Sequence, residues 1–439
     1  MRTHALALIA LAASCVASSS YADDAGPATK GPYLQHLTDH SVDVRIELAQ
    51  PDRVGVTVIA SPPAAPNPVH VVAGSAAQLQ SVHVSGLSPS THYEYLVAVG
   101  KVPVQAGTFT TAPASTSHDP FTFLIFGDDR SDGPAHERIV SAIAKESFDF
   151  VLNTGDYVIS GEDDTAWQTF FDIERPLLRD HCLFACVGNH ELNNDRAASH
   201  FERYFGPADG AGGRGDDEPL YSTFRWGRAR FFLLNAFEDW AHGPERAWLE
   251  RELEKSDKEA GVDLRIAAVH QGPYSAGPHG GAPQLLGTHA AELLVKHNVD
   301  LIISGHDHIY ERGEAKKLKY LVSGGGGAPL YREITPLPST RKVEATYHYV
   351  LATVTDDGVS ILAKRPDGST LDTCSFARGG SWACDPAPST KAPEGLPAAP
   401  AAPAASTCGC DVPGAPTSGA LAACAMLMLV VAGLRRRAG

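Results

Sequence analysis

Between residues 29 and 112 apolar and polar positions alternate in short runs, as at 42–48 and 54–59, with clusters of Pro, Asp and Gly between them. Successive side chains of an extended strand point to opposite faces, so each run predicts a half-buried strand, and their regular spacing predicts an all-β sandwich. Residues 112–120, rich in Pro, Ser and Thr, interrupt the pattern as a linker. From 120 to 384 the texture changes to continuous apolar runs at 121–126, 148–153, 183–187, 230–234, 264–269, 299–303 and 320–322, separated by helical segments. Such runs read as core strands, and their alternation with helices predicts a layered α/β domain. One helix opens at Asp132 or Gly133 before Pro134 and runs to about Lys145, with Ile139, Val140 and Ile143 on one face. Another opens at Pro244 and turns Trp248, Leu249 and Leu253 inward, so Trp248 reads as core.

The two ends of the chain have their own patterns. Arg2 and His4, an apolar stretch over 5–13 and the small residues ending Ser20-Tyr21-Ala22 read as an export signal over residues 1–22, with the mature chain starting at Asp23. A Pro/Ala-rich tether with Cys408-Gly409-Cys410 occupies 385–414, and the tail at 415–439 holds an apolar stretch and Arg435-Arg436-Arg437. Its apolar length reaches the roughly 17–25 residues of a membrane span only if 415–419 are included, and the arginines belong on the cytoplasmic side. Export permits disulfides. The spacing suggests Cys374 with Cys384 and Cys182 with Cys186, the alternative for the latter two being buried thiols on one strand.

The chain has 36 basic against 51 acidic residues and a formal net charge of −15, which argues against a nucleic-acid-binding surface. Candidate chemistry lies instead in Gly155-Asp156, Gly188-Asn189-His190-Glu191 and Gly305-His306-Asp307-His308, each following an apolar run. A pair of cations needs a bridging ligand, which a carboxylate such as that of Asp156 supplies, while imidazoles and an amide oxygen complete the shells without accumulating negative charge. His306 and His308 would share a face of a strict strand, and a turn there would aim one at each metal. Asp128, Asp156, Asn189, His270 and His306 all fall just past strand ends, where open α/β folds place ligands.

The ordered set Phe126-Gly127-Asp128, Gly155-Asp156, Gly188-Asn189-His190-Glu191, Val269-His270 and Gly305-His306-Asp307-His308-Ile309-Tyr310-Glu311-Arg312 resembles the calcineurin-like metallophosphoesterase superfamily. Together with the β region in front, it is most similar to the purple acid phosphatase branch. The resemblance implies a four-layer α/β/β/α catalytic domain over 120–384 behind a fibronectin-III-like sandwich over 29–112, with Tyr93 or Tyr95 as the tyrosine corner. It implies two metal ions (Fe, Zn or Mn), one held by Asp128, Asp156 and His308 and the other by Asp156, Asn189, His270 and His306. His190 would orient the ester and protonate its leaving oxygen as a metal-bound hydroxide attacks. The C-terminal tail resembles myxobacterial surface-protein sorting signals, which implies association with the cell envelope or release; a plain tail anchor is the alternative.

Three positions depart from the family pattern. The Asp-x-His of the first motif is Asp128-Asp129-Arg130 here, and a guanidinium does not coordinate metals. The tyrosine that the purple branch carries three residues after its bridging aspartate is Ile159, with Tyr157 pointing elsewhere, and Gln271 stands where a second His is common. The first metal is left with three protein ligands, and water, Asp129 or a distant side chain must complete its shell; ferric iron and purple colour are disfavoured. Arg130 is read as a contact to substrate phosphate, because its fork matches phosphate oxygens. The segment 274–281 looks like the family's substrate loop, with His279 as a substrate contact or a plain loop histidine. Gly324 to Gly327 would let backbone approach the metals or a phosphate.

The resulting expectation is an exported phosphoesterase acting on small phosphate esters, monoesters first. Phosphodiesters or nucleotides are the alternative substrates. A surface binding protein with a decayed catalytic domain is the rival reading.

Overall fold

Burial alternates along N-terminal strands such as Ala77–Ser85 and His92–Val99, whereas Phe150–Asn153, Leu264–Val269 and Leu301–Ser304 are buried at every position. The structure is a computed structural model and describes residues 27–61, 68–193, 198–206 and 220–384. The expected export signal, tether and tail lie outside these residues. No helix among the described residues is long and apolar enough to cross a membrane.

The N-terminal strands are β1 (Ala28–Gln35), β2 (Ser41–Asp52), β3 (Val54–Ala60), β4 (Val69–Val72), β5 (Ala77–Ser85), β6 (His92–Val99) and β7 (Val102–Thr110). There follow β8 (Phe121–Phe126), α1 (Gly133–Ile143), β9 (Phe150–Asn153), α2 (Asp164–Leu178), β10 (Cys182–Ala185), α3 (Ser199–Phe205), β11 (Ser222–Trp226) and β12 (Ala229–Leu234). Next come α4 (Pro244–Lys258), β13 (Leu264–Val269), α5 (Pro283–Gly287), α6 (Ala290–Lys296), β14 (Leu301–Ser304), β15 (Tyr310–Ala315) and β16 (Leu318–Ser323). The last strands are β17 (Thr340–Glu344), β18 (Tyr349–Thr355), β19 (Gly358–Lys364), β20 (Thr370–Phe376) and β21 (Ala383–Cys384).

Two large sheets form the centre. One has ten strands in the order β21-β20-β19-β18-β8-β9-β10-β1-β2-β5, the other seven in the order β11-β12-β13-β14-β16-β15-β17. Phe121, Phe123 and Ile125 of β8 face the core between the sheets, where Phe231, Ile266 and Ile303 meet them. The intervening Leu124 and Phe126 face outward onto Ile139, Trp167 and Phe170 of α1 and α2. In the second sheet Ala267, Val269 and Ile302 face outward onto Trp248, Leu249, Leu253 and Leu293 of α4 and α6. A strand presents alternate residues to its two faces, so runs apolar at every position are buried on both sides, and the α/β/β/α layering follows. Asp132 caps α1 through its side chain, which accepts from Ala135 N at 3.0 Å, as the Asp-Gly-Pro signal indicates.

The N-terminal region is a sandwich, but not a separate bead. Its four-stranded sheet β4-β3-β6-β7 packs on β1, β2 and β5, which are themselves the outer strands of the ten-stranded sheet. The join is the parallel pairing of β1 with β10, in register at Leu34 and Cys182. Residues 112–120 carry no helix or strand, yet the sheet is continuous past them. Tyr93 makes the corner contact, accepting from Ser88 N at 2.9 Å, while Tyr95 donates to the Arg179 carbonyl at 2.7 Å across to the α/β region.

Cys374 and Cys384 form a disulfide, as their spacing suggests. Cys182 and Cys186 do not; both are buried free thiols, and burial pushes Cys182 up to about 12. Residues four apart along an extended chain stand about 13 Å from each other, well beyond the roughly 7 Å limit for a disulfide.

Candidate metal centre

Five loops leave the carboxyl ends of β8, β9, β10, β13 and β14 and bring Asp128, Asp156, Asn189, His270 and His306 together. The chain turns sharply at three of these positions, with φ of 60° at Asp128, 61° at Asp156 and 67° at His306. Left-handed backbone is costly for residues other than glycine and persists where the surroundings hold it. The bracing here is Glu191, whose buried carboxylate accepts from Gly188 N at 2.8 Å and from Asp156 N and Tyr157 N at 3.0 Å each. Glycine is needed where the loops touch: a Cβ on Gly188 would sit 2.3 Å from Asp156 Oδ1, and one on Gly305 2.2 Å from Asp128 Oδ2. The turn at 305–309 aims His306 and His308 at different partners, as a strict strand would not.

His270 lies at the centre. Its Nδ1 donates to the Thr154 carbonyl at 2.8 Å, which directs Nε2 into the site. Around that Nε2 stand Asn189 Oδ1 at 3.2 Å, His306 Nδ1 at 3.2 Å and Asp156 Oδ1 at 3.3 Å. Ligand atoms roughly 2.0–2.2 Å from one ion stand about 3.0–3.6 Å from each other in octahedral or tetrahedral geometry. The ligand atoms of Asp156, His270 and His306 lie within 4.8 Å of one another, a spacing that suits one cation, with Asn189 Oδ1 beside them.

The electrostatics agree. Burial and the neighbouring His270 hold His306 down at about 3, leaving it neutral. Burial opposes charge on His270 too, but the carboxylates of Asp156 and Asp128 outweigh it and raise it to about 9, so the pocket attracts positive charge. Burial pushes Asp128 up to about 8; burial also opposes charge on Asp156, but His270, His190 and Arg130 outweigh it and hold it well below the usual carboxylate range.

The other half of the expected centre is built differently. His308 donates through Nδ1 to the Pro329 carbonyl at 2.7 Å, and its Nε2 faces Asp128 Oδ1 at 3.6 Å. Between these ligands lies Arg130, with Nε 3.1 Å from Asp156 Oδ2 and Nη2 3.5 Å from His308 Nε2. Asp129 does not complete a shell here. It is turned away into a buried cluster with His136, whose Nε2 is 2.6 Å from Glu174 and 3.7 Å from Asp129. Among the described residues, close groups of three or more His or acidic ligands occur only at Asp156–His270–His306 and at Asp129–His136–Glu174. The residues of the first position do not fit a metal while the guanidinium lies among them.

Residues 121–310 match the calcineurin-like phosphoesterase family. Probable purple acid phosphatase 20 of Arabidopsis thaliana is 26% identical over 245 residues, covering 54% of this chain and 55% of the relative. Fe(3+)-Zn(2+) purple acid phosphatase 12 of the same plant is 24% identical over 274 residues, covering 58% and 56%. The chain thus spans about half the length of these curated relatives. The solved purple acid phosphatase PPD1 from yellow lupin (Lupinus luteus) seeds shares the fold, with a TM-score of 0.67 at 18% identity over 79% of this chain and 74% of that one.

Around the loops of this candidate site, His190 donates through Nδ1 to the Ile159 carbonyl at 2.7 Å and places Nε2 3.8 Å from Asp156 Oδ2. His279, with its side chain 30% exposed, is bound to Asp307 at 2.9 Å, and its ring lies 4.5 Å from that of His306. Gly324 to Gly327 are buried against the Asp128 loop, with Gly326 N donating to Gly127 O at 2.9 Å, so they pack the first motif and do not form an open phosphate cradle. Sequence reasoning quoted Glu191 and Asp307 only as parts of motifs, without their bracing roles. It missed Tyr331, stacked on His308 at 4.2 Å, and Phe237, 6.0 Å from the His270 ring; no motif marks either.

Proposed function

We propose that the chain is an exported, metal-dependent phosphoesterase acting on small phosphate esters, monoesters first. The observation that carries the reading is the convergence of Asp156, Asn189 and His306 on His270 Nε2 within 3.2–3.3 Å. Asp156, Asn189, His270 and His306 would hold the ion, which when bound neutralises phosphate charge and acidifies water. The relatives named for purple acid phosphatase activity, one of them for Fe(3+) and Zn(2+), support the substrate class and a transition-metal cofactor.

The chain's own residues do the positioning. His190 directs its Nδ1 proton to the Ile159 carbonyl and turns Nε2 to the site; burial lowers its proton affinity, so Nε2 would first take up a proton, against that cost, and then pass it to the departing oxygen. Arg130 holds further N–H groups of its fork for a phosphoryl oxygen, and His279, fixed by Asp307, edges the entrance. Export rests on the N-terminal signal and agrees with the Cys374–Cys384 disulfide. Envelope association through the tail rests on the tail sequence alone.

The test uses the full-length protein with nitrophenyl phosphate and bis(nitrophenyl) phosphate, before and after chelation. Expected are faster cleavage of the monoester, loss with chelator and recovery on adding Zn(2+), Mn(2+) or Fe. A folded protein that holds no metal and cleaves neither ester ends the proposal.

A further inference from the structure

The first ligand position is short of donors and already contains a cation. Arg130 sets Nε against Asp156 Oδ2, the oxygen that does not face His270, and turns Nη2 toward the lone pair of His308 Nε2. That lone pair is fixed, because the opposite nitrogen of His308 donates to Pro329 and its ring is clamped flat against Tyr331, with 9° between the planes. Nη1 of Arg130 is tied to Ser131 Oγ at 3.0 Å, and the Arg130 side chain is only 13% exposed. The carboxylate of Asp156 is thereby divided, one oxygen toward the His270 cluster and the other toward the guanidinium.

We propose that Arg130 is the resident cation of the first position, so that this chain binds one metal, at Asp156–Asn189–His270–His306, and pairs it with a guanidinium where a second ion would sit. The proposal rests on the phosphoesterase reading above and narrows it to a mononuclear centre. Three observations carry it: the seat of the guanidinium between Asp156 and His308, the absence of an imidazole at position 130, and the diversion of Asp129 to His136 and Glu174. A fixed positive charge there repels a second ion and occupies the lone pairs it would need. For an incoming ester the fork offers directional N–H donors in place of an open coordination position.

The experiment counts metal on the full-length protein after chelation and reloading with Mn(2+), by elemental analysis and by electron paramagnetic resonance. Wild type is expected to hold one ion per chain with the six-line spectrum of an isolated ion. Arg130→His, which supplies the missing imidazole, is expected to hold two with an exchange-coupled spectrum. Arg130→Ala serves if the histidine variant does not fold as judged by circular dichroism, with uptake rising above one. Two coupled ions in wild type overturn the mononuclear centre while leaving the phosphoesterase reading intact. One ion in every folded variant leaves a mononuclear centre but overturns Arg130 as the group that excludes the second ion. No ion in wild type overturns both, so the failures are told apart.

Discussion

Two buried carboxylate–histidine clusters lie on either side of the Asp128–Asp129 step, and they are alike in composition and opposite in use. In one, His270 gives its Nδ1 proton to a backbone carbonyl and aims Nε2 among three other donor atoms. In the other, His136 uses Nε2 itself to bind Glu174 at 2.6 Å and closes the cluster on a proton. The first is charge-hungry and arranged like half of a coordination shell; the second is neutralised internally. Which ring nitrogen meets the backbone, more than the count of acids and histidines, separates a candidate ligand set from a structural brace.

The contrast is broken most strongly at Asp156. Asp156→Asn removes the charged ligand, and turnover should fall about a hundredfold or more together with metal content, read by ester hydrolysis and elemental analysis. Retention of both would dissolve the distinction between the clusters. Next is Glu191→Gln, which keeps size but weakens the acceptor that holds Gly188, Asp156 and Tyr157. Metal affinity should drop about 10–100-fold with little change in secondary structure, as measured by competition with a chromophoric chelator.

His136→Leu tests the other side. It leaves Glu174 and Asp129 buried without their partner, so stability should fall by about 3–5 kcal/mol in denaturant unfolding while metal per chain stays at the wild-type value. The pH dependence sharpens this. Burial opposes charge on His136, but Glu174 and Asp129 outweigh it and raise it above its ordinary value, while burial raises Asp129 to about 7. Both shifts make the folded state bind more protons than the unfolded one. The Asp129 contribution is therefore lost between its ordinary carboxylate range and about 7, while the His136 contribution is still present at pH 6 and is lost as pH rises through the raised His136 value. Unfolding at pH 6 and pH 9 should show a larger decline in wild type than in His136→Leu. Parallel declines would remove the cluster as its source.

Much of this site was readable from sequence because each candidate ligand closely follows an apolar strand, so that Asp128, Asp156, Asn189, His270 and His306 are positioned by strand ends. The helix after Asp132 was readable for a similar reason, since its cap and Pro134 are local signals. What was not readable depends on direction at left-handed turns. The positive φ of Asp128 sends Asp128 and Asp129 into separate clusters, and no spacing in the string Asp128-Asp129-Arg130 reveals that split. Of the two readings open for Cys182 and Cys186, spacing alone did not favour the one that holds, buried thiols along an extended segment. The pairing of β1 with β10 was hidden for the opposite reason: it joins distant segments through a short register that leaves no local pattern.

That pairing has a consequence for how the chain comes apart. With β1, β2 and β5 continuing the sheet that carries β8, β9 and β10, a protease nick within residues 112–120 cuts the covalent chain without separating two folded bodies. The fragments should migrate together on gel filtration and melt in a single transition.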